Sequence, residues 1–224
     1  MNMQKTAVSI AAALCALAAA TTAQADTVAF SGYAHGSQTV TFTVPAQFGL
    51  GTASNIVGAG GFLTTLNGGP SFTSYCIDLY QTIGMPSSYT DYSVAAPGAH
   101  AFANSNAYAD LSRLFATAGT IGDALHEAAF QVAVWEIAYE TGATYNLASG
   151  FAYFTASADV LNLASSFLSN LGTGSGRPIG ILESRGQQDV IYAPVPEPSE
   201  IALMLAGLVA IARVARRRRN ASAA

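Results

Sequence analysis

Short runs of alternating hydrophobic and polar residues predict β-strands in the first part of the chain. The alternation is clearest at residues 38–44, where Val40, Phe42 and Val44 are interleaved with three threonines. Such a strand buries one face and exposes the other to water. Runs rich in β-branched and aromatic residues predict further strands at 28–33, 55–57, 72–81, 89–94, 178–183 and 188–193.

The hydrophobic period lengthens to that of an α-helix in the middle of the chain. The spacing predicts helices at about 107–119, 123–140 and 157–172. Asp123 and Ser157 are suitable N-caps for the second and third, and Gly172 can end the third. Strands that flank a central group of about three helices indicate an α+β domain.

The first 25 residues have the three-part layout of a secretion signal. A short polar start with Lys5 precedes an apolar run, and the small residues Ala23 and Ala25 close it. This layout predicts a signal peptide at residues 1–25, cut after Ala25. Residues 26–194 then form the exported body, which is long enough to bury the core of one domain.

Composition narrows the classes of function. Only 10% of the 224 residues are charged, and between residues 26 and 195 there are eleven Asp and Glu against three Arg, a net charge near −8. A body this acidic has few basic side chains that could neutralise phosphates, which disfavours nucleic-acid binding. The sequence has no metal-ligand spacing and no nucleotide-binding or hydrolase motif, so we expect no metal, no cofactor and no enzyme activity.

The exported body contains one cysteine, Cys76, because Cys15 lies in the predicted signal peptide. Exported proteins normally pair their cysteines in disulfides. A single one suggests an intermolecular link, a free reactive thiol or another covalent bond.

A glutamine in the second predicted helix is the candidate partner of that cysteine. The segment from His126 is apolar on almost every side, so the helix should be buried. At 100° per residue, Gln131 falls on the same stripe as Ala128 and Trp135. Its carboxamide therefore either bonds to backbone groups in the core or has a specific partner.

The residues around these two positions, YCID at Cys76 and FQVAVW at Gln131, resemble the signature motifs of the thioester domains of bacterial surface adhesins. The resemblance covers roughly residues 28–193. It implies that Cys76 and Gln131 condense to an internal thioester with loss of ammonia, and that Tyr75 and Trp135 pack beside the bond. The two motifs are 55 positions apart, so this domain is more compact than many of the adhesin examples.

A thioester is a masked electrophile, and an amine or hydroxyl of a target can open it with Cys76 as leaving group. The product is a covalent bond to the target, formed once per molecule, which is binding rather than catalysis. We assign neither His126 nor Asp78 as a general base. The alternative is a non-covalent structural or exopolysaccharide-associated matrix protein, in which Cys76 is a free or intermolecularly paired thiol.

Residues 195–224 have a second targeting pattern. Pro196, Glu197 and Pro198 precede twelve apolar residues at 201–212. A helix of that length is shorter than a bilayer core, but a basic tail would hold its end in the cytoplasm. The tail contains Arg213, Arg216, Arg217, Arg218 and Arg219.

This pattern resembles the PEP-CTERM sorting signal of Gram-negative bacteria. The resemblance implies a short transmembrane helix that holds the chain in the membrane transiently. It also implies cleavage near the Pro-Glu-Pro motif by an exosortase. The protein would be exported across the inner membrane and, after this cleavage, reach the cell surface or the extracellular matrix of a biofilm.

Overall fold

The computed structural model describes residues 25–45, 53–142 and 144–194, together with residues 204, 206–209 and 211. Almost all of the predicted signal peptide lies outside these residues. So do the motif Pro196, Glu197 and Pro198 and the five arginines of the basic tail.

The body combines β-strands with helices, and the helices lie between strands along the chain. The strands are β1 (Asp26–Tyr33), β2 (Gln38–Val44), β3 (Ala53–Ala59), β4 (Phe62–Leu66), β5 (Ser71–Cys76), β6 (Ser87–Val94), β7 (Tyr153–Thr155), β8 (Gly180–Glu183) and β9 (Val190–Tyr192). The helices are α1 (Ala107–Thr117), α2 (Ala124–Tyr139) and α3 (Ala158–Ser169). This arrangement confirms the mixed α and β composition that the pattern predicted.

Six strands close into an antiparallel barrel in the order β1-β4-β5-β9-β8-β6. An aromatic cluster joins three of them, since the ring of Phe30 lies 5.9 Å from those of both Phe62 and Tyr92. Complete burial of such side chains contributes about 1.5–3 kcal/mol each. Closure of the sheet also leaves no unpaired strand edge within the barrel.

The other three strands form a separate antiparallel sheet in the order β3-β2-β7. In β2 the alternation predicted from the sequence is confirmed, because Val40, Phe42 and Val44 are buried while the threonines between them are partly or fully exposed.

Helix α2 is the central element of the body. It packs against α1, α3, β2, β3 and β5, which explains why its sequence is apolar on almost every side. Its start is fixed by Asp123, whose carboxylate accepts hydrogen bonds from the N–H groups of Leu125 and His126 at 2.9 Å each. Ser157 likewise caps α3 through the N–H of Val160. Both predicted N-caps are therefore confirmed.

The structure differs from the predicted strands at three places. It contains β4 and β7, which the sequence pattern does not predict, and β5 ends at Cys76 instead of continuing to residue 81. β5 ends there because the Asp78 carboxylate accepts a hydrogen bond from the N–H of Tyr80 at 2.8 Å, which turns the chain out of the sheet.

Near the C-terminus, the six described residues at 204, 206–209 and 211 are helical. Within the described part of the chain, no helix combines the length and the apolar character needed to cross a bilayer.

Candidate functional site

Cys76 is the last residue of β5 and is paired with one other strand of the barrel. It pairs with Val190 of β9 and is 1% exposed. Beyond it, the N–H of Leu79 donates to the Tyr139 hydroxyl at 2.8 Å, so the turn that follows the cysteine is attached to the end of α2. The position of Cys76 is thus set by the sheet on one side and by the central helix on the other.

Gln131 lies in the middle of α2 and is also 1% exposed. Its carboxamide makes two reciprocal hydrogen bonds with the main chain of Cys76. The Cys76 N–H donates to Oε1 at 2.9 Å, and Nε2 donates to the Cys76 carbonyl at 2.8 Å. The side chain therefore occupies the place that a further strand would take beside the end of β5.

The thiol of Cys76 is held by the turn that follows it. Sγ donates to the Asp78 carbonyl at 2.8 Å and accepts from the Asp78 N–H at 3.3 Å. Burial raises the pKa of the Cys76 thiol, and the indole of Trp135 and the Asp78 backbone offset this rise only in part. The sulfur is consequently a neutral thiol at neutral pH.

Trp135 follows Gln131 by one helical turn and lies on the same face of α2. Its ring stacks on Phe154, with ring centroids 6.1 Å apart and planes at 10°, and it also packs against Phe42. The indole N–H is close enough to Cys76 to lower the pKa of the thiol, yet it makes no hydrogen bond of ordinary geometry. A donor is therefore left available beside the sulfur.

Cys76, Gln131 and Trp135 line one cavity of about 370 Å³. Its volume is within the range of roughly 300–1,000 Å³ that is typical of small-molecule sites. Aromatic residues and side-chain amides make up much of the remaining lining: Tyr33, Phe42, Phe62, Tyr80, Asn55, Gln81 and Gln188. Both partners of the predicted bond are thus accessible from the same space.

Tyr75, the fourth residue predicted near the bond, lies elsewhere. Successive side chains of a strand point to opposite faces, so Tyr75 points away from the side of β5 that carries the thiol. Its ring packs against Phe115 and Phe130 and lines a different cavity. Burial, with the nearby Glu127 carboxylate, raises the pKa of its hydroxyl. The structure brings three of the four predicted residues together and separates Tyr75 from them.

The chain matches no protein-family model, no curated protein and no solved structure.

Two contacts at the site were not predicted from the sequence. The side-chain amide of Gln188 donates to the Asp78 carbonyl at 3.0 Å, across 110 positions of the chain. Tyr139, two turns beyond Gln131 on α2, fixes the turn after Cys76. The apolar sequence of α2 predicted a packed helix but did not single out Tyr139, and no pattern in the sequence pointed to Gln188.

None of the three histidines lines the Cys76 cavity, and each contacts a carboxylate. His126 contacts Asp123 at 2.7 Å at the start of α2. His100 contacts Glu183 at 2.6 Å. One nitrogen of His100 and one carboxylate oxygen each of Glu183 and Asp189 lie within 4.8 Å of one another. No spacing pattern could have shown this group, because His100 and Glu183 are 83 positions apart.

Proposed function

We propose that this chain is an exported surface or matrix protein that binds its targets covalently through a thioester between Cys76 and Gln131. The observation that carries the proposal is the reciprocal pairing of the Gln131 carboxamide with the Cys76 main chain, inside a cavity that both side chains line.

The pairing supports formation of the bond. Sγ of Cys76 attacks Cδ of Gln131, the Sγ–Cδ bond forms, and the Cδ–Nε2 bond breaks. Nε2 takes up the thiol proton and leaves as ammonia. Throughout this step the Cys76 N–H remains on Oε1, where negative charge develops, as the donor of an oxyanion hole does.

The surroundings support the opening of the bond by a target. An amine or hydroxyl attacks Cδ, the Cδ–Sγ bond breaks, and the nucleophile's proton ends on the sulfur. The Trp135 N–H is placed to stabilise charge on the departing sulfur. Cys76 and Gln131 are each 1% exposed, which limits the access of the water that would hydrolyse the thioester.

The proposed location rests on the two ends of the sequence. The signal-peptide pattern at residues 1–25 directs export, and the Pro196-Glu197-Pro198 motif with its apolar segment and arginines marks the chain for an exosortase. We propose that the apolar segment holds the chain in the membrane until cleavage. The mature body then remains at the surface of a Gram-negative cell or in its exopolysaccharide.

A non-covalent matrix protein is the second candidate, because both ends of the Gln131 carboxamide already have hydrogen-bond partners in the thiol form. Cys76 would then be a free thiol. Its 1% exposure argues against an intermolecular disulfide in the folded protein.

The intact mass of the purified chain separates the two functions. A thioester predicts a mass short by one ammonia, addition of one methylamine on treatment, and no titratable thiol in the denatured protein until the bond has been opened. Cys76→Ala and Gln131→Ala should each have the full mass of their sequence and add no methylamine. A full, unreactive wild-type mass with one titratable thiol would exclude the covalent function and support the matrix protein.

A further inference from the structure

Three side chains that commonly bind metals meet beside the turn between β8 and β9. His100 lies in the loop between β6 and α1, Glu183 is the last residue of β8, and Asp189 immediately precedes β9. One imidazole nitrogen and one oxygen of each carboxylate lie within 4.8 Å of one another. None of the three residues lines the Cys76 cavity, so the group has no part in the chemistry proposed above.

The group has more negative charge than its protein surroundings balance. Two carboxylates face one imidazole, and His100 is the only ion-pair partner of either carboxylate in the described part of the chain. A cation placed between two carboxylates removes their repulsion. The side chains of His100, Glu183 and Asp189 are 17%, 36% and 20% exposed, so an ion from solvent can reach all three.

The distances suit the ligands of one metal ion. Nδ1 of His100 is 2.6 Å from Oε1 of Glu183 and 4.0 Å from Oδ2 of Asp189. Two atoms that bind the same zinc ion at its usual bond lengths lie roughly 3–3.5 Å apart, which is between these two distances. A movement of the His100 ring by less than about 1 Å therefore brings both distances to that spacing.

Neighbouring contacts orient two of the three ligands. Oδ1 of Asp189 accepts a hydrogen bond from the N–H of Ser184 at 2.8 Å, which leaves Oδ2 to face His100. The ring of His100 packs edge-on against Phe102, with ring centroids 4.5 Å apart. Contacts of this kind hold the ligands of metal sites in position.

We infer that His100, Glu183 and Asp189 bind one divalent transition-metal ion, for which zinc is the probe. Imidazole nitrogen suits zinc, copper and nickel, whereas calcium and magnesium take oxygen ligands. Two carboxylates with a neutral imidazole also balance the charge of a divalent ion. Nδ1 must be free of its proton to bind the ion, so the imidazole proton lies on Nε2 in the metal-bound form. The expectation of no metal rested on spacing along the sequence, which cannot reveal ligands 83 positions apart.

A bound ion would join the loop before α1 to the turn between β8 and β9. That turn is attached to the strand that ends at Cys76, because the Asp189 carbonyl accepts a hydrogen bond from the Ile77 N–H at 2.9 Å and β9 pairs with β5. The ion would therefore stabilise this part of the barrel. Its binding does not require the bond between Cys76 and Gln131, so the inference is tested independently of the proposed function.

Zinc binding by the purified chain, prepared without a polyhistidine tag, tests the inference. The chain is dialysed against ZnCl₂ at neutral pH, and the bound zinc is measured by elemental mass spectrometry. We expect one ion per chain, bound at least roughly tenfold more weakly by His100→Ala and by Asp189→Asn, because each variant lacks one ligand. The Asn side chain can still accept the hydrogen bond of the Ser184 N–H, so Asp189→Asn decides the question if His100→Ala does not fold.

His126→Ala is the matched control. Nδ1 of His126 also contacts a carboxylate, that of Asp123 at 2.7 Å, but this pair has no third ligand among the described residues. The control should bind zinc as the wild-type chain does, and zinc should raise the melting temperature of both but not that of His100→Ala. Equal zinc affinities in the two histidine variants, or no zinc on the wild-type chain, would overturn the site. Displacement of zinc by an equal concentration of CaCl₂ would overturn the choice of a transition metal.

Discussion

Gln131 is oriented by the main chain of Cys76 and not by other side chains. Both groups of its carboxamide are used, and both partners belong to one residue. Loss of this side chain therefore leaves a buried N–H and a buried C=O unpaired at the end of β5.

We expect Gln131→Ala to be strongly destabilising even where no thioester can form. In a Cys76→Ala background, the added Gln131→Ala change should lower the free energy of unfolding by roughly 2–5 kcal/mol, because two buried main-chain groups lose their partners and a cavity is left. Urea unfolding of the single and double variants measures it. A difference below about 0.5 kcal/mol would contradict the pairing.

Glu136 is a buried carboxyl on α2, 1% exposed, with one oxygen bonded to the Asn146 N–H at 2.6 Å and the other without a partner. Burial raises its pKa from 4.5 to about 7; the charge of Glu140 adds to this, and the Asn146 N–H opposes it. The folded state therefore holds a proton that the unfolded chain releases.

This shift predicts that stability falls as the pH rises. Below pH 4.5 both states are protonated and the effect is absent; between pH 4.5 and about 7 only the unfolded chain ionises, so the free energy of unfolding decreases. The loss is at most roughly 3 kcal/mol and is complete above pH 7. Glu136→Gln should flatten this part of the profile in pH-dependent urea unfolding, and a profile that the substitution leaves unchanged would contradict the raised pKa of Glu136.

The residues best predicted from the sequence are those whose position is set by the period of a helix. Gln131 and Trp135 were placed on one face of α2 by helical spacing, and both line the cavity. The contacts of Gln131 with the main chain could not be predicted, because a main-chain partner leaves no trace in the sequence. Tyr75 was grouped with Cys76 through the motif, although strand geometry points neighbouring side chains to opposite faces.

At the scale of elements, the site is the junction of β5 with α2. Glu127, on the first turn of α2, joins this junction to the chain before β4, since it accepts hydrogen bonds from His35 at 2.6 Å and from the Gly61 N–H at 3.0 Å. Gly61 has no room for a side chain, because a Cβ would collide with Glu127 and with Thr73.

We expect Gly61→Ala to force α2 away from the strands. The overpacking should lower the free energy of unfolding by about 1–3 kcal/mol in chemical denaturation. Gly122→Ala is the control, since a Cβ there meets nothing within 4 Å, and it should change stability by less than about 0.5 kcal/mol. Equal effects of the two variants would show that the contact at Gly61 is not tight.

Two strands, β4 and β7, could not be predicted from hydrophobic alternation, for physical reasons. In β4 the inward position Thr64 is polar, because its hydroxyl bonds to that of Ser74 at 2.7 Å, so the hydrophobic alternation is broken. β7 is only 3 residues long, too short to show a period. Closure of the barrel depends on pairings between distant strands, such as β5 with β9, which a single sequence does not reveal.

At the scale of the whole molecule, the proposed thioester would act as a cross-link between residues 55 positions apart. We expect the intact form to exceed the methylamine-opened form in free energy of unfolding by up to about 4 kcal/mol, the loop-closure entropy for a loop of this length. Thermal unfolding before and after methylamine measures the difference. The Cys76→Ala variant should be unaffected by the treatment, and equal melting temperatures for the two wild-type forms would contradict the cross-link.

The main-chain pairing of Gln131 also affects how this site can change during evolution. The Gln131 carboxamide is aligned by peptide groups at the end of a strand. The surrounding side chains therefore need only the volume and apolar character that fit the core. Substitutions can therefore accumulate over most of the domain while two short stretches of sequence retain the pairing of Cys76 with Gln131. Divergence of that kind would leave this junction of β5 and α2 intact within a sequence that has changed almost everywhere else.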